Sequence, residues 1–358
     1  MTDVFNNKIN ILKALAIMVI VSGHLEFSLI PFFPPFSFHL ALFFFISGYL
    51  FNDKYLGNEC EFIVKKAKRL LVPYFLYTGF YFIVTVIIAK LTGKFWGMPV
   101  TFRNYILTPF LNGHELDLSC PLWFVTQLFI TLICFLFILK KLKEFKIKKW
   151  VCLCSFFVLA VLATALSSFR HDEFMLVVIR TLFSLFFVYT GYFFKNHIEN
   201  KVNIFGYKWL FGVLILQSIL WLTNKDYTPQ DGIGLSYVLV WGEFDDVLIP
   251  VLTSLTGIWA AMFCVDRIYP YIKDNKFFYQ MGKNTYHIMA NHVFIMYLIT
   301  AALLYIKGIP IDVKNAHDIY WIYNPLKTTY FYFIITMVLS TYSGVFLNFI
   351  KNIFIKQT

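Results

Sequence analysis

Lys13 and His24 stand eleven residues apart in an otherwise apolar stretch of a 358-residue chain. Eleven steps of 100° along an α-helix return two side chains to within about 20° of one another, about 16 Å apart along the axis. An ammonium near one boundary of the stretch and an imidazole near the other then share one stripe. A second imidazole, His39, opens the next apolar run in Phe38-His39-Leu40-Ala41-Leu42, while Arg180 and His292 interrupt two later ones. Histidine titrates near neutrality, so it can take a proton from a hydroxyl and hand it back. Each of these groups also has a structural reading. Lys13 can snorkel to an interface, His24 can hydrogen-bond a neighbouring helix, and Arg180 can pair with Asp172 or Asp246.

A second pattern is basic. Lys65-Lys66-Ala67-Lys68-Arg69 runs straight into Leu70-Leu71-Val72-Pro73-Tyr74. Such a cluster fixes topology, but Lys66 and Arg69 are three apart and share a helix face, which suits them to clamp phosphate groups. The lysines from Lys140 to Lys149 lack that patterning and read as topology and headgroup contact.

The elements that carry these residues must lie in lipid. Hydrophobic residues make up 59% of the chain and charged residues 14%, against roughly a quarter charged in a soluble domain. That excludes a soluble globular enzyme. The net charge of +11 is dispersed in short clusters between apolar runs, which argues for membrane loops and against nucleic acid. Ten runs approach the length needed to cross about 30 Å of hydrocarbon, near 9–30, 36–51, 70–92, 122–139, 151–168, 174–194, 208–223, 246–265, 285–305 and 327–350. The expected fold is therefore an all-α polytopic membrane protein of about ten transmembrane helices, one domain over residues 1–358 without a soluble appendage. Lys and Arg favour one set of connections by three to one, which puts both termini in the cytoplasm. A short proline turn (Pro31, Pro34, Pro35) between the first two spans would put His24 and His39 within about 10 Å of the outer surface, and His292 in the inner half of its span. Acids collect in outer connections: Glu115, Asp117, Asp226, Asp231, Glu243, Asp245 and Asp246. The aromatic residues there (Tyr227, Tyr237, Trp241, Tyr320, Trp321, Tyr323) fit an interfacial belt. The six cysteines show no ligand spacing and read as small hydrophobes, with no metal expected.

Several of these motifs resemble, in order, those of the acyltransferase-3 family of integral membrane acyltransferases. The stretch from Asn10 through Lys13 to Ser22-Gly23-His24 is similar to the family's first helix, with lysine where the family has arginine. Phe38-His39 through Ser47-Gly48-Tyr49 resembles the branch described as fucose 4-O-acetylase-like. Lys66-Ala67-Lys68-Arg69 resembles the family's basic motif, and Pro121-Leu122-Trp123-Phe124, Gly191-Tyr192 and Gly282-Lys283-Asn284 to His292 resemble later landmarks. The resemblance implies an O-acyltransferase that moves an acyl group, usually acetyl, from cytoplasmic acyl-CoA to a hydroxyl of a cell-surface polysaccharide or its lipid-linked precursor. Acetyl-CoA would be the co-substrate, and the expected location is a bacterial-type cytoplasmic membrane. On this reading His24 and His39 are catalytic and Lys13, Lys66 and Arg69 bind the acyl-CoA. Arg180, Trp123, His292 and Asn284 serve the acceptor or the cavity. A transporter of glycan or small solute, or a scaffold of a wall-assembly complex, would suit the topology without covalent chemistry.

Overall fold

A computed structural model describes residues 2–170, 172–223, 235–310 and 319–355. Asp226, Tyr227 and Asp231 lie outside the described residues. The described chain is helical, with two isolated bridges and no strand. In order the helices are α1 (Thr2–Gly23), α2 (His39–Tyr49), α3 (Glu59–Thr92), α4 (Trp123–Glu144), α5 (Lys149–Leu166), α6 (Glu173–Phe193), α7 (Tyr207–Thr223), α8 (Ile249–Ile272), α9 (Lys276–Lys283), α10 (Thr285–Ile306) and α11 (Pro325–Ile355). Each of the ten apolar runs contains a helix, but among the described residues seven helical segments are long and apolar enough to cross a membrane. α1 falls short of that measure, and α2 and α7 are shorter apolar helices.

α1 lies at the centre, touching α2, α8, α9, α10 and α11. One end of the bundle carries the basic connections, tied by Lys8–Asp266 (2.9 Å), Lys140–Glu59 (2.5 Å) and Lys143–Asp53 (2.5 Å). α3 is 34 residues long, about 51 Å, against roughly 30 Å of hydrocarbon. Its first turns, with Lys65 to Arg69, therefore project beyond the apolar layer at that end.

Two departures from the sequence reading decide where the site sits. First, the connection between α1 and α2 is not a short turn but an irregular segment over 24–38, and α2 has only 11 residues, about 16 Å. The segment is folded into protein: Gln217 and Trp221 both donate to the Phe32 carbonyl at 3.0 Å, and the Tyr237 amide donates to the Phe36 carbonyl at 3.1 Å. Backbone outside a helix is tolerated at membrane depth when protein covers it in this way. Tyr49, at the far end of α2, donates to Glu199 at 2.7 Å on the basic side, so His39 sits about halfway along the long helices rather than near the outer surface. Second, the connection over 93–122 folds back among the helices. Glu115, read from sequence as an outer acid, is 2% exposed and accepts from Tyr74 and Thr78 in the middle of α3.

α2 crosses α6 at glycines. A Cβ on Gly48 would overlap the Val188 carbonyl, and one on Gly191 would overlap that of Phe45. Small residues let two backbones meet closely where lipid supplies no hydrophobic drive for association. Two of the motifs singled out above, Ser47-Gly48-Tyr49 and Gly191-Tyr192, are thus the two sides of one helix crossing.

Candidate active site

His24 follows the last turn of α1, its amide still bonded to the Ile20 carbonyl at 3.2 Å. It borders a cavity of about 100 Å³, together with His39, His114, Cys120, Trp123 and Tyr320. Neighbouring rings hold the His24 imidazole. Tyr320 stacks on it with centroids 5.0 Å apart and planes 6° apart, while Phe36 meets it edge-on at 5.7 Å. His292 lies 5.1 Å away. The sequence reading had put His24 and His292 in opposite halves of the membrane, yet the rings touch. Asn10 ties α1 to α9, which precedes α10, by donating its side chain to the Tyr279 carbonyl at 2.9 Å.

His292 is fully buried, and its Nδ1 lies 3.0 Å from the Ile288 carbonyl. A carbonyl can only accept, so the proton is on Nδ1 and Nε2 is left as an acceptor with no hydrogen-bond partner. His39 is 4% exposed, packs edge-on against Phe36 at 5.2 Å, and leaves its Nδ1 without a partner. His114, on the re-entrant connection, stacks on Trp241 at 4.5 Å and 12°, with Nε2 unpartnered. Burial, with the Arg180 charge adding to it, pushes His114 down to about 4, so it is neutral near pH 7. Burial pushes the neighbouring Glu115 carboxyl up, against the bonds from Tyr74 and Thr78 that pull it down. Four imidazoles thus surround or flank one small space.

Arg180 does not pair with an acid. Asp172 caps α6 through the Met175 amide (2.7 Å), and Asp246 caps α8 through Leu248 and Ile249 (2.6 and 2.8 Å). The guanidinium, 1% exposed, donates instead to backbone carbonyls of Leu111 (2.9 Å), Asn112 (3.2 Å), Leu239 (3.3 Å) and Val240, and lies 4.6 Å over the Trp123 ring. It pins together the two connections that wall the cavity, with Trp123 between it and the open space. Asn284 is more distant in role: it donates to Gln280 at 2.8 Å and accepts from Asn348 at 2.7 Å, joining α9 and α10 to α11.

Lys13, Lys66 and Arg69 form a separate group. Arg69 lies close enough for its charge to act on both lysines, and Lys66 sits over the Phe62 ring at 5.3 Å. Among the described residues no carboxylate is within salt-bridge distance of any of the three, although Lys8, Lys140, Lys141 and Lys143 each pair with one. This unneutralised positive cluster lies toward the basic end, with Lys13 eleven residues before His24. It does not line the cavity, whose lowest walls are Ile20 and Met289.

His114, Cys120, Tyr237 and Tyr320 are cavity residues that the sequence reading did not nominate. Tyr237 and Tyr320 had been assigned to an interfacial belt. An aromatic belt and an aromatic-lined cavity have the same composition, and only the folding-in of the outer connections separates them.

A family model described as an acyltransferase domain matches residues 6–346. No curated protein and no solved structure matches the chain.

Proposed function

Because the chain belongs to the acyltransferase-3 family and is a membrane acyltransferase, we propose that the cavity at His24 is where an acetyl group passes from acetyl-CoA to a hydroxyl of a cell-surface polysaccharide or its lipid-linked precursor. One observation carries this reading: a half-buried imidazole borders a small cavity about 16 Å along α1 from a cationic cluster that pairs with no acid among the described residues. The cations suit the phosphates of CoA, and the imidazole suits a hydroxyl that must lose a proton. A cavity of about 100 Å³ has room for an acetyl group and the atoms it joins, whereas pockets that engulf a drug-sized ligand run to about 300 Å³ or more. The sugar then presents its hydroxyl at the mouth, near His114 and Trp241.

In this mechanism neutral His24 takes the hydroxyl proton as the oxygen attacks the thioester carbonyl. The carbonyl oxygen becomes an oxyanion, and His39, which lines the same cavity and has an unpartnered Nδ1, donates to it. Collapse expels CoA, which leaves as the thiol with the proton from His24. Both termini in the cytoplasm, in a bacterial-type cytoplasmic membrane, would give the acyl-CoA and the basic cluster a common side. The fucose 4-O-acetylase-like branch suggests a deoxyhexose hydroxyl as acceptor.

Membranes carrying the protein, given labelled acetyl-CoA, should pass label to glycan, and His24→Ala at matched protein level should lower that by about 100-fold or more. Undiminished labelling by His24→Ala removes His24 from the chemistry. No transfer by the wild type would favour a transporter or a scaffold.

A further inference from the structure

Cys120 lies on the same cavity as His24 and His39 and is 6% exposed. It belongs to a short 3-10 turn, Asp117–Leu122, that packs between α3 and α10 and is followed at once by α4. Its Sγ meets the Tyr320 hydroxyl at 2.6 Å, and the Tyr320 ring is the one stacked on His24. Thiol, phenol and imidazole are therefore in one contiguous contact at the cavity wall. Independently, His39 lines the same space and is buried with its Nδ1 left without a hydrogen-bond partner. Cys152 is just as buried, but its Sγ contacts the Ile147 carbonyl at 3.9 Å, a packing role.

We propose that Cys120 carries the acyl group between the two substrates as a thioester, a role that rests on the acyltransferase reading. In the first half-reaction the Cys120 thiol gives its proton to His24, the base on the same cavity. Sγ attacks the donor carbonyl, the carbon–sulfur bond to CoA breaks, and CoA takes the proton and departs as the free thiol. In the second, the acceptor hydroxyl gives its proton to His24 and its oxygen attacks the Cys120 thioester. The bond from carbonyl carbon to Sγ breaks, and the sulfur recovers the proton. No electrons are exchanged, and the sum is acyl-CoA plus alcohol giving ester plus CoA.

Two physical points favour this order. Exchanging one thioester for another is close to neutral in free energy, whereas loading an imidazole makes a more reactive acyl donor. A cavity of about 100 Å³ also leaves little room beyond the acetyl group and the atoms it joins, and a carrier lets donor and acceptor visit in turn.

The test uses the full-length protein in detergent or membranes. Labelled acetyl-CoA without acceptor should label the protein on the peptide containing Cys120, and neutral hydroxylamine should release that label. Cys120→Ala should lose the label and at least about 100-fold of glycan transfer while unfolding at the wild-type temperature. Cys120→Ser should hold a label that resists neutral hydroxylamine and turns over slowly. Initial rates for the wild type should give the parallel double-reciprocal lines of a two-stage exchange. Wild-type transfer by Cys120→Ala, or intersecting lines with no label on an active wild-type protein, overturns the carrier and leaves direct transfer at His24 standing. An inactive wild type overturns the transferase reading itself.

Discussion

Arg180 shows how a single buried side chain can serve a site it does not enter. Its five donors are spread over four carbonyls from two connections, and hydrogen bonds to a charged group contribute about 1.5–3 kcal/mol each. Lysine keeps the charge but not the planar fork. Arg180→Lys should therefore lower the unfolding midpoint in detergent by roughly 5 °C and reduce turnover, because the walls bearing His114 and Leu239 come apart. A variant with unchanged stability would mean that the connections hold without it. His114 makes a pH prediction. Its folded value is depressed to about 4, from about 6.5 in an unfolded chain. The unfolded state thus binds a proton that the folded state refuses between those limits, so stability is intact above about pH 6.5 and falls as pH drops toward 4. Melting curves across that range should show a shallower fall for His114→Gln than for the wild type.

Among the elements, α2 shows what the sequence discloses and what it withholds. That residues 36–51 form a helix of some length is plain from the apolar run. That only His39–Tyr49 do so is not, because the preceding Phe-rich and Pro-rich segment is as apolar as a span and is sheltered by Gln217, Trp221 and Tyr237 from distant parts of the chain. The 11-residue helix is placed by its crossing with α6. Gly191→Ala forces a methyl group into the Phe45 carbonyl and should cost about 1–3 kcal/mol. It should also displace His39, so activity is expected to fall further than stability. Measuring both on the same purified variant checks this, and normal turnover in a destabilised protein would separate the crossing from the site. The glycines were visible as motifs, but their partners are carbonyls, which no residue pattern encodes. The histidines on α1 and α2 were legible from residue type alone. Cys120 and Tyr320 were not, since in an apolar chain a cysteine or a tyrosine carries no mark of facing a cavity.

On the proposed reading, the whole molecule separates binding from chemistry along its length. Cations without acidic partners lie toward the basic end and imidazoles about halfway along the bundle, with Ile20 and Met289 closing the cavity toward the cations. Arg69→Ala should raise KM for acyl-CoA by about tenfold while leaving KM for the acceptor near the wild-type value, since one phosphate contact of the charge-assisted kind is lost. Equal loss for both substrates would place Arg69 in folding rather than in donor capture.

The bond between Glu115 and Tyr74 bears on how those two regions communicate. Tyr74 stands five residues beyond Arg69 on the same rigid helix, and Glu115 is next in chain to His114 and five residues before Cys120. On the proposed reading, a nucleotide held at the foot of α3 has a lever, fastened by the Tyr74 phenol and the Thr78 hydroxyl, on the wall of the reaction chamber. Tyr74→Phe would loosen it. The variant should take up its donor normally and then turn over slowly, like an engine whose clutch has been disengaged.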